Sequence, residues 1–154
     1  MREHILVALV LLFAAPVMTQ AGPPEWKVLK DSKNACQIIV PPDWTPLGEN
    51  TGAATLQDTA TAVAVVTSQP GQAFRPLPES LQKSLGIRKK DLFENSPKRV
   101  FYQDRTAAGP EDQNAYSVSV PGKGGTCSCH VAFLPSVGEE VARKIALSLG
   151  PVRD

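Results

Sequence analysis

The residues best suited to chemistry lie together near the end of the chain, in the stretch TCSCHVAF. It places Cys127, Cys129 and His130 within four positions, and Cys36 is the only other cysteine of the 154 residues. Thiolate and imidazole groups are preferred ligands of zinc and copper. They also serve nucleophilic catalysis and thiol exchange. The first question is therefore whether this cluster binds a metal, reacts, or belongs to a core.

Strand geometry separates the members of this cluster. In a β-strand successive side chains point to opposite faces. Cys127 and Cys129 then share a face with Val131 and Phe133, whereas His130 lies on the other face. Covalent haem attachment needs Cys-x-x-Cys-His, and CSCH is one residue short. The apolar neighbours of the cysteines favour a core position, so we predict no metal site and no cofactor.

Two other chemistries compete with the core interpretation. Cys36, Cys127 and Cys129 could ligate copper or zinc, or exchange thiols, in an extracytoplasmic metal or redox protein. A hydrolase would have to use His130, because the other histidine, His4, lies in the leader. No serine lies in a Gly-x-Ser-x-Gly elbow. We predict no catalytic residues and no enzymatic activity.

Residues 1–21 have the layout of a secretory signal peptide. An apolar run between Ile5 and Met18 follows a single arginine, and small and polar residues lead to Ala21. The run is shorter than the about 20 apolar residues that span a bilayer, and Pro16 interrupts it. We predict cleavage after Ala21, which leaves 22–154 as one domain exported to the periplasm or the extracellular space. Retention of the leader as an anchor is the alternative.

Export and the cysteine count together predict one disulfide. Disulfides persist outside the reducing cytoplasm, and three cysteines allow a single internal bridge. Residues two positions apart on a strand are separated by about 6.6 Å, whereas disulfide Cβ atoms lie about 3.8 Å apart, so Cys127 does not pair with Cys129. Cys36 shares a face with Ile38 and Val40. We predict that Cys36 pairs with Cys127 or Cys129, and that the third thiol is free and buried.

The charge balance limits the class of partner. The chain carries 16 basic and 15 acidic residues and 42% hydrophobic residues, which argues against a nucleic-acid-binding domain and against disorder. The segment from Lys83 to Arg99 is basic and could contact an anionic membrane surface or an acidic partner, although a solvated loop is the favoured interpretation. Its basic residues are Lys83, Arg88, Lys89, Lys90, Lys98 and Arg99, and its acids are Asp91 and Glu94. We predict a protein or envelope component as the partner.

The cluster must be positioned by strands. Alternating and β-branched residues predict strands over 26–31, 36–40 and 99–107, and two more between 53 and 68 with a turn at Asp58 and Thr59. AYSVSV and TCSCHVAF, joined by the turn PGKGG, predict a hairpin. Short connections favour antiparallel pairing of these strands.

Two helices accompany the predicted strands. Leu77, Leu81 and Leu85 recur every fourth residue and predict an amphipathic helix that ends at Gly86. The terminal helix has a capping-box pattern at its start and a buried apolar stripe. Its capping residues are Ser136 and Glu139, and its stripe is Val137, Val141, Ile145 and Leu149. The sequence therefore predicts an α+β domain in which helices flank an antiparallel sheet.

Two segments resemble a known family. The opening WKVLKDSKNACQIIVPPDW and the closing IALSLGPV are similar to the PsbP family, which includes an extrinsic subunit of photosystem II and periplasmic DcrB-type proteins. The resemblance implies an α/β/α sandwich and a role as an accessory or binding subunit. We therefore predict an exported, non-catalytic binding or accessory protein of unknown partner.

Overall fold

The computed structural model describes residues 25–56, 62–105, 113–135 and 138–153. These residues form ten strands and two short helices, and Lys89–Asp91 is a 3-10 turn. The strands are β1 (Lys27–Lys30), β2 (Cys36–Val40), β3 (Trp44–Pro46), β4 (Ala53–Leu56), β5 (Ala62–Pro70), β6 (Leu92–Asn95), β7 (Val100–Asp104), β8 (Asn114–Gly122), β9 (Gly125–Phe133) and β10 (Gly150–Pro151). The helices are α1 (Glu79–Ser84) and α2 (Glu139–Leu147).

Several sequence predictions concern residues outside these ranges. The predicted leader, the turn at Asp58 and Thr59, and the capping residue Ser136 all lie outside the described residues. Neither α1 nor α2 has the length and apolar character needed to cross a membrane.

The strands form two antiparallel sheets of different size. The smaller has the order β1-β2-β10, and the larger has the order β3-β4-β5-β9-β8-β7-β6. β5, β8 and β9, each nine residues long, occupy the centre of the larger sheet. β8 and β9 pair from Asn114 opposite Phe133 to Gly122 opposite Gly125, which confirms the predicted hairpin.

One face of the seven-stranded sheet, the closed face, carries the core. Cys127, Cys129, Val131 and Phe133 of β9 are buried on it. α2 packs against β8 and β9 and also contacts β2, so the small sheet and α2 together cover this face. The opposite face of the large sheet, the open face, carries His130. The burial pattern of β9 thus confirms the predicted separation of the two cysteines from the histidine.

The terminal helix buries the side that its periodicity predicts. Ile145 is fully buried, Leu149 is 6% exposed, and Val141 is partly buried against the same core. Val137 lies outside the described residues. Gly138, with φ of +88°, is the N-cap, and a glycine has no side chain with which to cap the helix.

The predicted α+β fold, an α/β/α sandwich in which helices flank the sheet, is wrong, because the described residues form mostly antiparallel sheet. That architecture needs a helical layer on each face of the sheet. α1 has only six residues and none of them is buried, with Leu81 and Leu85 remaining 40% and 39% exposed. The leucine periodicity correctly predicted a helix before Gly86, where φ is +67°, although the helix begins after Leu77 and ends at Ser84. It could not reveal that a second sheet, and not a layer of helices, covers the core.

Asp31 links the two sheets through hydrogen bonds. Oδ1 accepts from the backbone N–H groups of Ala35 at 2.7 Å and Cys36 at 2.8 Å. Oδ2 accepts from the hydroxyl of Ser68, on β5 of the other sheet, at 2.6 Å. Burial disfavours the charged carboxylate, but these hydrogen bonds outweigh it and lower the pKa of Asp31. The ionised side chain therefore stabilises the folded state.

We expect Asp31→Asn to destabilise the protein in a pH-dependent way. A lowered folded pKa contributes stability that is present above the unfolded pKa of about 3.9 and lost as pH falls through the folded value. At neutral pH the variant should lose about 1–3 kcal/mol, because an amide offers one acceptor oxygen where the carboxylate offers two. Urea unfolding at neutral pH and at pH 3 measures both effects. Asp43→Asn, at an exposed turn position, is the control. An unchanged pH dependence in Asp31→Asn would show that the carboxylate is not ionised in the fold.

We expect Ile145→Asp to destabilise the protein by about 4 kcal/mol or more, because it places an unpaired carboxylate in the core. Lys144→Asp introduces the same group at an exposed position one residue earlier and should cost only about 1 kcal/mol, because it removes the Lys144 ammonium that lies 4.2 Å from the centre of the Trp26 ring. Thermal and urea unfolding compare the two variants. Equal stabilities would mean that α2 does not pack on the closed face.

Candidate functional site

A disulfide joins the two sheets on the closed face. Cys36 of β2 is bonded to Cys127 of β9, with the two Cα atoms 5.6 Å apart. Cys129 is free and buried. The prediction of one bridge from Cys36 and one free buried thiol is confirmed, and the partner of Cys36 is Cys127. A disulfide is compatible with an oxidising environment.

The remaining thiol is poorly suited to react or to bind a metal. Burial raises the pKa of Cys129 to about 12, so the thiol is protonated at neutral pH. A three-thiolate site would need all three sulfurs deprotonated and free, and two of them are bonded to each other. Among the described residues, no group of three or more His, Cys, Asp or Glu side chains lies close enough together to hold a metal.

We expect the bridge to contribute strongly to stability. It closes a loop with a sequence separation of 91, for which the chain-entropy model gives about 4–5 kcal/mol. Cys36→Ala should lose most of this, whereas Cys129→Ala keeps the bridge and should cost about 1 kcal/mol. Urea unfolding measures both, and mass spectrometry of unreduced peptides should recover Cys36 linked to Cys127. A linkage to Cys129, or equal stabilities of the two variants, would contradict this arrangement.

The open face carries a cluster of hydroxyl groups around His130. Ser117 Oγ lies 3.1 Å from His130 Nδ1, and the hydroxyls of Ser119 and Ser128 are 3.0 Å apart. We call this cluster the hydroxyl row; its members are Thr67, Tyr102, Ser117, Ser119, Ser128 and His130. They line a cavity of about 230 Å³. The side chains of the row are partly or fully exposed and offer several hydrogen-bond donors and acceptors on one surface.

Tyr102 adds a phenol to this row. It lies opposite Ser117 in the β7–β8 register. Burial raises the pKa of Tyr102, and the nearby Asp104 carboxylate adds to the rise. The phenol is therefore neutral at physiological pH and can donate a hydrogen bond to a ligand.

A chain segment crosses the open face beside the hydroxyl row. Residues 71–78, which we call the strap, are held at each end by hydrogen bonds. The hydroxyl of Thr126 donates to the Gln72 carbonyl at 2.7 Å, and the side chain of Asn95 both accepts from and donates to the Leu77 backbone, at 2.8 and 3.0 Å. Between these anchors the strap spans β9, β8 and β7 without joining the sheet.

A groove of about 280 Å³ lies under the strap. Its main apolar and aromatic lining comes from the strap and α1 on one side and from β7 on the other. These residues are Phe74, Leu77, Leu81, Val100 and Tyr102. Arg75 and Ser119 add polar groups, and Tyr102 and Ser119 also line the hydroxyl-row cavity. The two cavities therefore adjoin, with an apolar end under the strap and a polar end at His130.

Part of this site could have been found from the sequence. A two-residue turn at Lys123 and Gly124 sets the hairpin register and places Ser117 opposite His130. The sequence patterns were weighed for His130 as a metal ligand and as a catalytic base, and neither hypothesis pointed to its hydroxyl neighbours. The strap has no comparable signal, because its prolines and glycine indicate only irregular chain.

The hydroxyl row lacks the parts that nucleophilic catalysis requires. Ser117 Oγ approaches Asp104 Oδ2 at 3.5 Å and His130 Nδ1 at 3.1 Å, so the serine lies between the acid and the histidine. In a catalytic triad the histidine lies between the other two. Ser117 is also in the middle of β8, where the ladders to β7 and β9 engage the backbone N–H groups that an oxyanion hole would need. The arrangement suits hydrogen bonding to a bound molecule.

No protein-family model matches this chain, and no curated protein matches it. The resemblance to the PsbP family stays a prediction based on the opening and closing segments.

Proposed function

We propose that the protein is an exported, non-catalytic binding protein whose ligand lies under the strap and extends along the hydroxyl row. One observation carries this proposal: the strap is anchored at both ends across the open face and leaves a groove of about 280 Å³ beneath it. Core packing normally fills such space, whereas ligand sites are concave and mostly apolar with a few polar groups.

Export is supported by two independent features. The layout of residues 1–21 is that of a signal peptide, and the Cys36–Cys127 bridge would be at risk of reduction in the cytoplasm. An exported binding protein is also consistent with a closed face that a disulfide stabilises and an open face that carries polar side chains.

The lining of the groove defines the class of ligand. Phe74, Leu77 and Val100 provide an apolar surface for a ring or a short hydrocarbon chain. Arg75 and the hydroxyl row provide donors for oxygen-rich or anionic groups. We therefore propose a small amphipathic molecule, with its apolar end under the strap and its polar end towards His130.

The dye 1-anilinonaphthalene-8-sulfonate, which is amphipathic and anionic, is a suitable probe. The folded, oxidised protein should bind one dye molecule, and Phe74→Ala should weaken binding about tenfold through the loss of apolar contact. Ser119→Ala should weaken it less. Leu47→Ala is the control, since Leu47 is 50% exposed and lies outside the groove lining. Fluorescence titration measures the affinities, and melting curves verify folding. Equal affinities for Phe74→Ala and Leu47→Ala would exclude the groove as the binding site.

A further inference from the structure

The short helix α1 presents apolar side chains to solvent. None of its residues is buried, and Leu81 and Leu85 are 40% and 39% exposed. Only three other large hydrophobic residues in the described part of the chain are classed as exposed: Val28, Leu47 and Phe93. Leu81 on the helix and Leu85 at its C-cap, four residues apart, form a small apolar surface.

Lysines without an ion-pair partner among the described residues follow these leucines in the chain. The acids of this region already have basic partners: Glu79 pairs with Lys83 at 2.9 Å, Glu94 with Arg99 at 3.4 Å, and Asp91 with both Arg88 and Arg105. Among the described residues, no acidic side chain lies within ion-pair distance of Lys89, Lys90 or Lys98, and all three lysines are exposed. Their charge is available to an external partner.

The fold brings these residues to one side of the molecule. The 3-10 turn with Lys89 and Lys90 follows α1 after four residues. The hydrogen bonds between Asn95 and Leu77 hold the end of β6 beside the start of α1, and the β6–β7 turn that follows carries Lys98. We call this set of residues the α1 patch: Leu81, Leu85, Lys89, Lys90 and Lys98.

We propose that the α1 patch docks the protein on an anionic membrane surface. Interfacial binding combines apolar side chains at the headgroup boundary with lysines near anionic lipids, and each such lysine strengthens adsorption about fivefold. A partner recognised by charge alone would account for the lysines but not for the exposed leucines. This proposal is independent of the groove, although Leu81 lines both; Leu85 belongs to the patch alone and is the diagnostic residue.

Vesicle sedimentation tests this docking. The folded protein should bind vesicles of phosphatidylglycerol and phosphatidylcholine in equal parts, bind pure phosphatidylcholine weakly, and dissociate at high salt. The double change Lys89→Glu with Lys90→Glu should weaken binding at least tenfold, and Leu85→Ser should weaken it several-fold. Lys27→Glu with Lys30→Glu, and Val28→Ser, make the same changes at exposed positions of β1 and should have much smaller effects.

Three results would overturn the proposal. They are no binding to the anionic vesicles, equal losses in the α1 and β1 variants, and a loss with the lysine changes but none with Leu85→Ser. The last would mean that charge alone holds the protein on the vesicles. Phe74→Ala should bind vesicles like the unchanged protein, so failure of the groove and failure of the patch are distinguishable.

Discussion

The disulfide between Cys36 and Cys127 is the constraint on which the rest of the structure depends. It fixes the three-stranded sheet to the closed face of the seven-stranded sheet, between residues 91 positions apart in the chain. Asp31 reinforces the same junction, because it binds the Cys36 N–H from one sheet and the Ser68 hydroxyl from the other. A domain of this size has a modest core, and a covalent link between its layers offsets that deficit.

The closed face supplies the hydrophobic core. The open face therefore does not have to bury a second apolar layer to stabilise the fold. It keeps serines, a threonine, a tyrosine and His130 at positions that a second core would fill with apolar residues. The strap covers only part of this face and is attached through a few hydrogen bonds at its ends. A stable closed face with a lightly held cover on the opposite face suits reversible binding, because the cover can move without disturbing the core.

The sequence predicted local features well and the layering poorly. Strand alternation placed Cys127 and Cys129 on one face and His130 on the other. The spacing of residues along a strand also excluded a disulfide between Cys127 and Cys129. The α1 periodicity was real, but an amphipathic pattern does not specify what covers the apolar side, and here the leucines stay exposed. β3, β6 and β10 have two to four residues each, too few for periodicity to identify. The strap depends on contacts between distant segments, such as Asn95 with Leu77, which no local pattern reports.

The division between a locked closed face and a lightly held strap can be measured directly by hydrogen exchange on the folded, oxidised protein. Amides at the centre of β8 and β9 should exchange only through global unfolding, whereas amides of the strap and α1 should exchange far faster through local opening. This pattern would show that the strap can open while the bridged core stays intact. Strap amides as strongly protected as those of β9 would contradict the division and would make the strap part of the core.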